Sequence, residues 1–182
     1  TDHSVLQDLR PLTAKPLMIV ANMDEEHLAN YQDHPQFKVL QKKAQELSAV
    51  LIPFSAKLEQ ELQELEPEET VLMLKEYGLT EPGLNRIIRE GYRLLDLITY
   101  FTSGEKEVRS WVLKKGLKAP QAAGVIHTDF EKGFIKAEVV SYEQFVELEA
   151  SWSKCRDLGK LRIEGKEYVF QDGDVVIFRF NV

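Results

Sequence analysis

Leu17-Met18-Ile19-Val20-Ala21 is apolar at every position and ends abruptly in Asn22-Met23-Asp24-Glu25. A run without alternation predicts a strand buried on both faces, as in a parallel α/β sheet. Val50-Leu51-Ile52-Pro53-Phe54 reads as a second such strand, ending at Ser55-Ala56-Lys57. Between them Phe37, Leu40, Ala44 and Leu47 recur at helical spacing. Strand, helix and strand make a βαβ unit, with a polar loop after each strand.

Further on, helical patterns follow one another. A short helix over Ser4–Arg10 stops near Pro11, and an acidic one runs from Leu58 to Leu65. Another covers Glu68–Tyr77, with Gly78 in place to end it. After Thr80-Glu81-Pro82-Gly83, the residues Leu84, Ile87, Ile88, Gly91, Leu94, Leu95 and Ile98 mark an amphipathic helix. The character changes near Leu97. Leu97–Thr102 and Val108–Leu113 read as a hairpin around Ser103-Gly104-Glu105-Lys106. Ala119–Ile126 reads as a helix with Pro120 in its first turn, and Gly133–Val140 as a strand. Ser141 and Gln144 are spaced as a capping box for a helix reaching about Ala150. Leu161–Ile163, Tyr168–Phe170 and Val175–Phe180 are late strands, with turns at Glu164-Gly165 and Asp172-Gly173. The pattern divides the chain into residues 1–96 and a mixed β domain with few helices over 97–182.

Only two parallel strands lie in the first part, and two strands cannot make a covered parallel sheet. A partner or further sequence must complete it. The chain begins with Thr1 rather than Met, which fits a chain processed or cut from something longer.

Composition narrows the function. The 182 residues are 43% hydrophobic and 29% charged, as in ordinary globular proteins, with a net charge of −7. That balance argues against broad nonspecific nucleic-acid binding but leaves room for a local basic patch. Cys155 is the one cysteine, so no intrachain disulfide and no Cys-based zinc site can form, and a reducing cytosol is expected. Lys154 and Arg156 flank it, although an inert thiol is the favoured reading. No apolar run approaches the about 20 residues of a membrane span, and the N-terminus has no signal-peptide pattern. His3, His27, His34 and His127 have no metal-ligand spacing. No G-x-x-x-x-G-K-[ST] phosphate loop occurs.

Open α/β sheets bind ligands beyond the carboxyl ends of their strands, where Asn22 and Glu25 would stand. The Asn22 amide, with its acceptor and two donors, suits a purine edge. Helix capping by Asn22, with Asp24 and Glu25 favouring the first helical turn, is the alternative. Ser55 and Lys57 carry the same ambiguity between capping the next helix and meeting a base or ribose.

Longer strings add to this reading of the residues. Asn22-Met23-Asp24-Glu25, Ser55-Ala56-Lys57, the stretch Ala119-Pro120-Gln121-Ala122-Ala123-Gly124-Val125-Ile126-His127-Thr128-Asp129-Phe130-Glu131-Lys132-Gly133-Phe134, and Glu167-Tyr168-Val169-Phe170-Gln171-Asp172-Gly173-Asp174 together resemble the Obg-like ATPase (YchF) family of P-loop proteins. The resemblance runs from about Leu6 to Val182 and covers only the C-terminal half of such a protein. It implies the end of a P-loop α/β nucleotide domain over 1–96, with 1–12 as the exit of an inserted helical domain. A β-grasp-like α+β TGS domain would follow over 97–182.

The resemblance makes Asn22, Met23, Glu25, Ser55, Ala56 and Lys57 the base-binding residues. Most GTPases carry Asn-Lys-x-Asp at the first of these sites. Their Asp accepts from N1–H and N2 of guanine, whereas adenine has no N2 amine and its N1 is an acceptor. The longer Glu25 need not occupy that place, Met23 supplies an apolar contact, and Asn22 can pair with adenine N6 and N7. The implied activity of the complete protein is ATP hydrolysis with Mg²⁺ in the cytoplasm, in preference to GTP. The P-loop, switch regions and Mg²⁺ ligands have no counterpart here, so the chain alone is expected to be inactive and to bind ATP weakly at best.

Lys106, Arg109, Lys114, Lys115, Lys118, Lys132 and Lys136 are interleaved with Trp111, Phe130 and Phe134. Basic and aromatic residues on one sheet face can hold RNA. Arg109, Lys114, Lys115 and Lys118 are the candidate ribosome or RNA contacts, against the alternative that the aromatics fill the core and the lysines are solvated. A stand-alone TGS-type module for ribosome or protein partners, working without nucleotide, is the competing function.

Overall fold

The computed structural model describes residues 11–104 and 107–181. The expected Ser4–Arg10 helix lies outside them, as do Glu105 and Lys106 of the hairpin turn. The chain forms two units, Thr1–Leu95 and Asp96–Val182.

In the first unit β1 (Met18–Asn22) and β2 (Val50–Phe54) pair in parallel, from Met18 opposite Val50 to Asn22 opposite Phe54. Helix α1 (Pro35–Glu46) connects them, with Pro35 in its first turn and Phe37 and Ala44 buried. The βαβ unit is therefore present. Helices α2 (Ala56–Gln63), α3 (Pro67–Glu76) and α4 (Gly83–Leu94) follow. Helix α3 closes in a Schellman motif. Gly78 takes φ +66°, its N–H donates to the Lys75 carbonyl at 3.0 Å, and the Leu79 N–H donates to Leu74 at 2.8 Å. The Glu59 carboxylate accepts from the Gly83 and Leu84 N–H groups at 2.5 and 3.2 Å, serving the open end of α4 from α2. Leu28, Leu58, Leu62 and Leu74 form the buried cluster, with Met23, Met73 and Tyr77 against it.

Two expectations need correction in this unit. Strand β1 is not buried on both faces: Ala21 is buried, while Val20 is 41% exposed. Among the described residues no further strand flanks this pair to cover its sides. The amphipathic helix ends at Leu94 rather than reaching Ile98. Asp96 turns the chain at φ +52°, and Ile98 enters the next strand.

The second unit is a five-stranded mixed sheet. Its strands are β3 (Leu97–Ser103), β4 (Val108–Lys114), β5 (Phe134–Ser141), β6 (Arg162–Glu164) and β7 (Asp174–Phe180), in the order β4-β3-β7-β5-β6. Strands β3 and β7 run parallel and the other pairs antiparallel. This is the expected β-grasp-like α+β arrangement. Alternation sends Ile98, Tyr100, Leu113, Ala137, Val139, Val176 and Phe178 to one face, beneath Ala119, Ala122 and Ala123 of α5 (Ala119–Ile126). The three alanines leave room for the helix to approach the aromatic side chains closely. On the opposite face Phe101, Val140 and Val175 meet Phe145 of α7 (Tyr142–Glu147) and Trp152 and Cys155 of α8 (Trp152–Asp157).

Four short helices occupy this unit where few were expected. Helix α6 (Thr128–Lys132) starts under a His127 cap, whose Nδ1 accepts from the Asp129 N–H at 3.2 Å. The Ser141 hydroxyl accepts from the Gln144 N–H at 3.4 Å, as the capping spacing predicts. Helix α7 nevertheless stops at Glu147, because Glu149 and Ala150 take φ +57° and +55° and redirect the chain into α8. Tyr168–Phe170 is not a sheet strand. Val169 makes a single bridge to Lys118, and the Phe170 N–H donates to the Leu117 carbonyl at 3.2 Å. The segment pairs with the approach to α5 instead.

Candidate functional site

Asn22 is the last residue of β1 and is exposed. Its Oδ1 accepts from the Ala56 N–H at 3.0 Å, 34 positions further along the chain. A backbone N–H needs an acceptor, so this bond orients the amide and leaves the two Nδ2 donors for another partner. Asn22 thus ties two loops together and does not cap the short 3₁₀ turn Glu25–His27, whose cap position is Asp24. The Met23 N–H donates to the Phe54 carbonyl at 2.9 Å, which carries the ladder one step past the strands.

A second tie joins the same loops: the Lys57 ammonium donates to the Glu25 carboxylate. Lys57 holds the Glu25 carboxyl below its usual range, and Glu25 raises Lys57 in return. Glu61 stands 4.0 Å from the same ammonium. Lys57 is well exposed, so the pair orders the loops more than it stabilises them. Ser55 is buried and its hydroxyl accepts from the Leu58 N–H at 3.4 Å, so its side chain caps α2. Ala56 and Lys57 lie exposed in the first turn of that helix. All six residues singled out in the sequence therefore meet at the carboxyl end of the parallel strand pair.

The basic candidates are not brought together in the same way. The Arg109 guanidinium lies over the Trp111 ring, 4.2 Å from its centroid. Both alternate with Leu113 on the core-facing side of β4, while Lys114 falls on the opposite side. Lys115 is exposed beyond the strand end. The Lys118 ammonium is 2.5 Å from Glu167. Phe134 is buried in the core, and Trp111 and Phe130 pack against it. Cys155 is fully buried, and burial pushes its thiol up, away from reactivity.

Sequence reading missed one charged group. Glu138 is buried on β5, with its carboxylate in the fork of Arg179, Nε at 3.1 Å and Nη2 at 3.2 Å. The Lys136 ammonium stands 3.7 Å away and Arg156 Nη2 3.5 Å away. The signal was a glutamate set between Ala137 and Val139 in an apolar strand, which demands a cationic partner. Among the described residues no three His, Cys, Asp or Glu converge on a metal position.

Residues 97–181 match the YchF-GTPase C-terminal family, described as a protein of unknown function (DUF933). The ribosome-binding ATPase YchF of Haemophilus ducreyi is 50% identical over 171 residues, covering 94% of this chain and 46% of that protein. The chain belongs to the YchF family and corresponds to its C-terminal part. The Bacillus subtilis ribosome-binding ATPase YchF is 47% identical over 180 residues, or 99% of this chain and 49% of the relative. The YchF GTPase structure from Schizosaccharomyces pombe superposes with a TM-score of 0.83 at 39% identity, over 97% of this chain and 46% of that one. The chain thus spans about half the length of the relatives it matches.

Proposed function

We propose that this chain supplies base recognition and a TGS-type interaction module to a nucleotide-hydrolysing P-loop protein that prefers ATP and associates with ribosomes in the cytoplasm. The observation that carries the reading is the Asn22–Ala56 bond, which joins the two loops at the strand ends. In that arrangement Nδ2 of Asn22 is free to donate to a purine N7, an acceptor present in both adenine and guanine. Discrimination then falls to Glu25. A guanine-reading carboxylate must offer itself to N1–H and N2, but this one is engaged by the Lys57 ammonium. That favours adenine. Met23 gives the ring an apolar contact in place of a lysine stem. The names of the relatives include both ATPase and GTPase, so base choice is the point to test.

Phosphate binding and Mg²⁺ belong to the portion of the longer relatives outside this match. The bound ATP–Mg²⁺ would supply the scissile phosphate and its counter-charge. The residues of this chain hold the base in register for that chemistry. Ribosome association is assigned to residues 97–182, with Arg109, Lys114, Lys115 and Lys118 as contacts.

The experiment is competition binding on the full-length protein carrying Met23→Lys and Glu25→Asp. The pair restores Asn-Lys-x-Asp from Asn22, and each charge-assisted bond to guanine is worth roughly 1.5–3 kcal/mol. The ATP-to-GTP affinity ratio should fall at least tenfold. An unchanged ratio would remove base choice from this corner.

A further inference from the structure

We infer that Lys136, Arg156 and Arg179, gathered around Glu138, form a docking site for the phosphodiester backbone of RNA. This deepens the ribosome-association reading above and rests on it, but places the contact at residues other than those assigned there.

A buried carboxylate requires a cationic partner, and the Arg179 fork alone serves both Glu138 oxygens. Lys136 and Arg156 are then in surplus, and among the described residues Glu138 is the one carboxylate paired with any of the three. Two positive charges remain uncompensated, on a chain whose net charge is −7. Lys136 and Arg179 are direct cross-strand partners on β5 and β7. Like charges at opposed positions destabilise a sheet, and the carboxylate that offsets Lys136 there is Glu138, already held by the Arg179 fork. Arg156 reaches the same carboxylate from α8, so the three cations come from three elements and converge on one point.

Helices α7 and α8 cover Phe101, Val140 and Val175 on this face, but the side chains of Lys136, Arg156 and Arg179 are 40%, 62% and 49% exposed. Ile163, opposite Glu138 on β6, is exposed beside them and offers an apolar flank to a ribose. Arginine donors match phosphate oxygens in pairs; Glu138 takes the Nε–Nη2 edge of Arg179 and so fixes the guanidinium, with its Nη1 donors left over for a ligand. Cations on neighbouring strands, about 4.8 Å apart, suit a linear polyanion better than a folded acidic surface.

The test uses the whole chain with labelled polyuridylate, by fluorescence anisotropy across a salt series, alongside ribosome co-sedimentation. Lys136→Gln with Arg156→Gln should weaken polyuridylate binding about tenfold at 0.1 M salt and lower the salt slope by about 1.4, at about 0.7 per phosphate contact on a single strand. Lys38→Gln with Lys42→Gln, two exposed positions of the first unit, should change it less than about twofold. If the Lys136 and Arg156 pair unfolds the unit, Arg156→Gln alone should still weaken binding a few-fold, because that side chain is largely solvated. Polyuridylate binding that is absent in the parent chain, or unmoved by these changes, overturns the site. Displacement by polyglutamate as readily as by unlabelled polyuridylate would overturn it in favour of an acidic protein partner. Co-sedimentation that persists while the RNA effect fails leaves the ribosome reading intact without this site. Loss of co-sedimentation in the parent, with the RNA effect present, does the reverse.

Discussion

The two units use similar side chains to different ends. In residues 11–95 the apolar positions that pattern marks for burial stay in part uncovered: Leu17, Val20, Leu47, Ile88 and Leu95 are all exposed. In residues 96–181 Tyr100, Ala119, Ala122, Ala123, Ala137 and Val139 are wholly buried. The difference lies in the sheets. Five strands with helices on both faces enclose two clusters, whereas two parallel strands leave both outer edges open. An apolar pattern reports what a strand needs; the neighbours decide whether it is met.

The largest test of this contrast is Phe170→Ala. Phe170 is buried among Tyr100, Tyr168 and Phe178, and its loss should cost about 3–5 kcal/mol in urea unfolding. Both tryptophans, Trp111 and Trp152, lie in this unit, so their fluorescence follows it selectively. Phe37→Ala, in the first unit, should leave that transition in place. A common shift for both variants would mean the units unfold as one.

An intermediate effect is expected from acid. Arg179 holds the Glu138 carboxyl below its ordinary 4.5, so the native state favours the ionised form. Its contribution is complete above the ordinary value and is lost as pH falls through the lowered native one. Melting followed from about pH 6 to about pH 3 should show a declining acid limb for the second unit, and Glu138→Gln should flatten it. Identical limbs would show that other carboxylates set the acid stability. The smallest effect belongs to the exposed apolar positions of the first unit. Val20→Thr and Leu47→Lys should each change stability by less than about 0.5 kcal/mol, with little movement in hydrogen exchange of β1 and β2. A larger loss would mean those side chains are covered in solution.

Legibility in the sequence followed the range of the forces involved. Val50–Phe54 and Ala119–Ile126 were readable to the residue, because their limits are local: Ser55 caps the next helix, and Pro120 opens its own. Helices α6 and α8 were not, since five and six residues carry too little periodicity to register. Tyr168–Phe170 has strand composition, but its partner is the Leu117–Ala119 segment, a tertiary fact. At the base corner Asn22 stood out as a polar stop after an apolar run. Its bond to Ala56, and the Glu25–Lys57 pair, join positions more than 30 residues apart and needed the fold. The basic residues are a related case. Nearness along β4 places Arg109 and Lys114 on opposite sides, whereas Lys136, Arg156 and Arg179 are far apart in sequence and meet at one carboxylate.

Strand β7 has a consequence for the order in which the molecule can be made. Among the described residues it is the last strand in sequence, yet it sits at the centre of its sheet, between β3 and β5. Until Asp174–Phe180 has been synthesised, β3 and β5 have no common neighbour and the halves of the sheet cannot join. The hairpin of β3 and β4 can form early, but the long-range closure must wait for Asp174–Phe180, which slows the folding of this unit. A nascent chain stalled before Asp174 would display Val139, Val140 and Tyr100 without cover, as a substrate for chaperones and proteases rather than a partly working domain.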